Sequence, residues 1–138
     1  MSVNPERGEA DLAIGGVGLV IAVTFAGLAK LSRMVGTDDM DTLYRRLIGF
    51  EPWTASCALR VFAVHPEGRE KAEADALRAV TKLSAADETD FRQAITFALT
   101  AHMEAGRKAR GEPPLDEQVH EAAGATETAP GEPAGPEA

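Results

Sequence analysis

The chain has 138 residues, 44% of them apolar and 5% aromatic, with a formal net charge of -8. That length suits one domain with a tail, and the acidic balance argues against nucleic acid as a partner because phosphates would be repelled. All fourteen Lys and Arg lie at or before Arg110, against fifteen acids there, while Gly111 onward holds seven acids and no base. The single cysteine, Cys57, leaves no disulfide framework and no Cys-based zinc site, and fits a cytoplasmic protein. The N-terminus MSVNPERGEAD is more acidic than basic, unlike a secretory leader.

Residues 1–7 read as a lead-in, with Asn4-Pro5 favouring extended or turn backbone. From Gly8 the pattern alternates: Ala10, Leu12 and Ile14 on one side, Glu9, Asp11 and Ala13 on the other. Gly15-Gly16 supplies a two-residue turn, and Val17 to Thr24 is rich in β-branched residues, so a hairpin over 9–14 and 17–23 is expected. Leu12 to Ala29 carries no charge and reaches the minimum length of a membrane span. The alternative is therefore a single-pass membrane protein with a span near 8–30 and a cytosolic helical domain. The alternation that begins upstream at Ala10, interleaved with acids, favours the hairpin.

Thr24 can cap a helix carrying Phe25, Leu28, Leu31 and Val35 on one face, ended by Gly36. Thr37 or Asp38 then caps a second, with Met40, Leu43, Tyr44 and Leu47 as its stripe and Gly49 at its close. Pro52 suits the first position of a third helix. There Trp53, Cys57, Val61 and Val64 form one row and Ala55, Ala58, Leu59 and Phe62 a second, which predicts a central helix running up to the break at His65–Gly68. A charged helix over 67–83 should turn Ala72, Ala76, Leu77, Val80 and Leu83 inward, with Glu67/Lys71 and Asp75/Arg78 as surface pairs. Ser84 to Asp87 reads as a capping box before a last helix striped by Phe91, Ala94, Ile95, Ala98, Leu99 and His102. From Gly111 onward, five prolines, four glycines and seven acids predict a disordered acidic tail. The fold class is thus α+β, predominantly helical: an N-terminal β-hairpin, four to five helices within residues 8–110, and a tail over 111–138.

No catalytic constellation emerges. His65, His102 and His120 fall on a loop, a helix and the tail without metal-ligand spacing. Cys57 lies inside an apolar helix, where burial would raise its pKa. Asp38, Asp39 and Asp41 lack the spaced oxygens of a calcium loop and suit a helix start. Gly15-Gly16-Val17-Gly18 is not followed by the Lys-Ser/Thr of a phosphate loop. No enzyme, cofactor or metal is expected. Tyr44, Phe50 and Trp53 are the candidate partner-binding residues, since edge aromatics serve as interface anchors.

The order of motifs resembles a known family. Arg7-Gly8-Glu9, the Gly-Gly turn, Thr24-Phe25, Leu28-Ala29, Leu31 and Gly36 are similar to the small tail-locus family of gene transfer agents, described as phage tail tube protein or tail assembly chaperone. The likeness spans about residues 4–65 and departs from the family at Lys30 and Ser32, where acids are usual. It implies a non-enzymatic tail-morphogenesis protein that binds the tail tube or tape-measure protein. Such a protein binds neither nucleic acid nor membrane, and is cytoplasmic or part of a phage-like particle.

Overall fold

The computed structural model describes Asn4 and residues 7–111; the rest of the lead-in and residues 112–138, including His120, lie outside the described residues. The chain divides into two compact units at His102/Met103. The first holds a three-stranded antiparallel sheet and helices: β1 (Ala10–Ile14), β2 (Val17–Ile21), α1 (Phe25–Val35), α2 (Met40–Ile48), α3 (Pro52–Phe62), β3 (Ala63–Val64) and α4 (Arg69–Val80). A 3-10 turn (Ala85–Asp87) leads into α5 (Glu88–Arg110), whose last residues belong to the second unit.

The hairpin forms in the expected register, with Ile14 opposite Val17 and Ala10 opposite Ile21. Gly15 and Gly16 take φ of 56° and 83°, the positive values that a type I′ turn demands and that a Cβ would oppose. Ala10, Leu12 and Ile14 are buried and Asp11 and Ala13 exposed, so the alternation does place one face on the core. The charge-free run from Leu12 to Ala29 is therefore two strands and the start of α1. Among the described residues no helix is long and apolar enough to cross a membrane.

α1 begins as its sequence indicates: the Thr24 hydroxyl accepts the Gly27 amide at 3.0 Å, and Gly36, left-handed at φ 77°, closes it. α1 packs on α3 so closely that a Cβ at Gly27 would lie 2.8 Å from Phe62 Cε1. The core joins the inner face of the sheet to Leu28 and Leu31 of α1, Leu43 and Leu47 of α2, Leu59 and Phe62 of α3, and Phe91 and Ile95 of α5. Six of the eleven α3 residues are buried, as expected of a central helix.

Several expectations are corrected. Phe25 is 79% exposed, the first residue of α1 lying outside the arc that buries Gly27, Leu28 and Leu31. The cap of α2 is Asp39, whose carboxylate accepts the Asp41 amide, not Thr37 or Asp38. Gly49 does close α2, as expected, in right-handed backbone; the left-handed residue is the next one, Phe50, φ 58°, and Glu51 N–H reaches back to Arg46 O at 3.1 Å. α3 stops at Phe62, and Val64 belongs to a third strand paired with Val20. α4 is shorter than 67–83; Leu77 faces out, and Ala79 and Asp75 are buried in its place. The Ser84–Asp87 capping box is present, Asp87 accepting the Ser84 amide at 2.9 Å.

Candidate interaction surfaces

The three sequence-nominated aromatics occupy different settings. Tyr44 is half-buried and packs against the core. Phe50 is also half-buried, its ring centroid 5.4 Å from that of Phe91 at a 54° tilt. Trp53 is 58% exposed, with its indole N–H donating to Met34 O at 3.3 Å. Its ring lies free while its polar edge ties the start of α3 to the end of α1.

That indole is one of several side chains closing helix ends. Arg46 donates to Val35 O at 3.2 Å and Arg92 to Ile48 O at 2.8 Å, at the C-termini of α1 and α2. Arg69 reaches the end of α3, donating to Ala63 O at 2.8 Å, Val61 O at 3.3 Å and Arg60 O. Helix carbonyls left without partners carry partial negative charge, so guanidinium groups suit them. These three arginines serve internal structure.

The reactive groups are structural too. Cys57 is 1% exposed, and burial pushes its thiol pKa up, with Arg60 opposing weakly. The Thr42 hydroxyl donates to Asp39 at 2.6 Å and is the first cause of that carboxyl's lowered pKa. The Asp38–Asp41 cluster is thus a helix start, as its sequence reads. Asp75 was legible only as a surface acid, yet it is 6% exposed and accepts from Arg78 at 2.6 Å and Lys71 at 3.1 Å. Those two bonds, Arg78 first, hold its pKa down. His65 Nδ1 accepts the Glu67 amide in the turn after β3, and His102 is half-buried on α5. Among the described residues no group of three His, Cys, Asp or Glu is placed to hold a metal.

What the surface offers is apolar. Phe25, Trp53 and Phe97 are exposed at 79%, 58% and 45%. Sequence periodicity put Phe25 in the core and did not single out Phe97. Phe97 stands beside a groove of about 470 Å³ between β1 and α5, lined by Asp11, Ala13, Asp90, Gln93 and Ala94 among others. Aromatic side chains, Phe among them, are enriched at the buried centres of protein interfaces. No protein-family model matches the chain, and no curated protein or solved structure matches it.

Proposed function

We propose that this chain is a non-enzymatic tail-morphogenesis protein of a phage-like particle, of the gene transfer agent or prophage kind, that binds the tail tube or tape-measure protein. The reading rests on the motif order from Arg7 to Gly36, and one observation carries it from fold to binding. Most residues of that phrase have a structural job: Thr24 caps α1, Leu28 and Leu31 fill the core, and Gly36 ends the helix. Glu9 accepts the Asn4 amide at 3.0 Å. Phe25 has no such job, being 79% exposed. A ring held at a helix start, away from the core, is suited to seat in a partner's apolar groove.

The test is co-expression of the full chain with the tube and tape-measure proteins of its own locus, followed by affinity capture. One of the two should be retained. Phe25→Ala should weaken capture about tenfold or more, the scale of a hot-spot residue, while leaving the melting temperature unchanged. Retention of neither protein, or a Phe25→Ala variant that binds as well as wild type, counts against the reading. Mass spectrometry of purified particles then separates the two roles: a tube component is present in them, an assembly chaperone is absent.

A further inference from the structure

The sheet has one edge, along β1, that none of the described residues occupies. The Ala22 amide donates to Phe62 O at 3.0 Å, in line with the Val20–Val64 pairing. This sets the hydrogen-bonding phase of β2: residues 20 and 22 turn their backbone groups to β3, and residues 17, 19 and 21 turn theirs to β1. In the hairpin register those three face Ile14, Leu12 and Ala10. The N–H and C=O groups of Asp11 and Ala13 therefore point outward along β1, toward the groove whose far wall is α5. Among the described residues no hydrogen bond is made to them.

The groove is signed as well as open. Glu9, Asp11 and Asp90 line it and, among the described residues, no Lys or Arg does. Glu9 is engaged by Arg7 at 3.7 Å and by the Asn4 amide, whereas Asp11 and Asp90 make no ion pair among the described residues. Phe97 gives the wall an apolar contact at 45% exposure. Backbone groups on a sheet edge can pair with an extended peptide, and the carboxylates beside them favour a cationic one.

We propose that this groove receives an extended, basic segment of a partner protein. The segment adds as a further strand outside β1, its backbone pairing with Asp11 and Ala13. Lys or Arg side chains lie near Asp11 and Asp90, and an apolar side chain rests on Phe97. Charge selects this occupant over two nearer ones. Residues 112–138 of the chain itself carry seven acids and no base, the same sign as the groove. A second copy docking by its own β1 would set Glu9 and Asp11 against the same acids. The inference is separate from the tail-assembly reading and stands whichever protein supplies the segment.

Three capped seven-residue peptides test it on the full-length, isotope-labelled chain: one alternating Val and Lys, one with Glu for each Lys, and one alternating Val and Lys with every second amide N-methylated. The Val-Lys peptide should shift the Asp11 and Ala13 amide resonances and slow their hydrogen exchange. The Glu peptide should bind at least tenfold more weakly, and N-methylation should abolish binding without any change to the protein. Asp11→Lys with Asp90→Lys, both at exposed positions, should invert the Lys/Glu preference. Absence of shifts with the Val-Lys peptide at millimolar concentration, equal binding of the Lys and Glu peptides, or retained binding of the N-methylated one overturns the proposal. So does slow exchange of Asp11 and Ala13 in the free chain, which would mean that the tail or a second copy already holds the edge.

Discussion

The two edges of the small sheet are finished in opposite ways. On the β3 side the edge-facing residue is Ala63, and both of its backbone groups are satisfied: its N–H donates to Leu59 O, and its C=O accepts from Arg69 at 2.8 Å. The strand is two residues long and is followed within two residues by Pro66, which has no N–H to offer. On the β1 side five residues run along the edge, and the charge of Asp11 among them discourages pairing with a like strand. A buried edge needs a donor for each carbonyl, whereas an edge open to water needs only a reason not to pair with the wrong partner. The molecule spends an arginine on the first and an aspartate on the second.

Removing the arginine breaks the comparison most directly. Arg69→Ala leaves the carbonyl of Ala63, itself fully buried, without a donor and frees those of Val61 and Arg60. The expected loss is about 2–3 kcal/mol, the scale of charge-assisted bonds to a group that cannot be rehydrated. Urea denaturation measures it, and a loss below about 0.5 kcal/mol would show that the edge closes without Arg69. Val64→Pro should cost about 1–3 kcal/mol in the same assay, because the Val64 amide faces β2 at Val20 and its bond is deleted.

The closed side also has a pH signature. Asp75 on α4 is buried, and bonds from Arg78 and then Lys71 lower its pKa. A carboxylate whose folded value lies below its unfolded value adds stability that is whole above the unfolded value and is lost as pH falls toward the folded one. The effect should therefore emerge below about pH 4, the ordinary aspartate range. Arg78 and Lys71 are themselves well exposed, so the size is about 1 kcal/mol or less. Asp75→Asn should flatten this part of the acid limb in thermal melts between pH 2 and 5. An unchanged limb would mean that the Asp75 pairs add nothing to folding.

How far these features could be read from the sequence depends on how local their causes are. The Gly15-Gly16 turn, the Thr24 cap, Gly36 and the Ser84–Asp87 box each act within four residues, and each is found where the sequence puts it. β3 was not legible, because Ala63 and Val64 continue the apolar row of α3 and become a strand only by meeting Val20 and Ile21 some forty residues away. Phe25 and Leu77 keep helical spacing but sit beyond the arc their helices bury. Asp75 looks like its solvated neighbours until packing covers it, although Lys71 and Arg78, four before and three after, were a usable hint. The open β1 edge was the least accessible feature. It is defined by which neighbours are missing, and no stretch of sequence records that.

The smallest expected effect is also the most discriminating. Ala13→Pro places the same residue in the other outer strand, yet here the lost N–H points away from β2. No ladder bond is removed, and Leu12 before it is already extended, as a residue preceding proline must be. The change should cost no more than about 0.5 kcal/mol, the range of an exposed site without special structure. Urea denaturation of Ala13→Pro beside Val64→Pro then reads the phase of both outer strands at once. A large loss at Ala13 would mean that its amide bonds to β2, so that residues 10, 12 and 14 face the groove instead. Those three carry the buried side chains of the strand, and the outward acids would no longer stand beside the unpaired groups that make the edge a site.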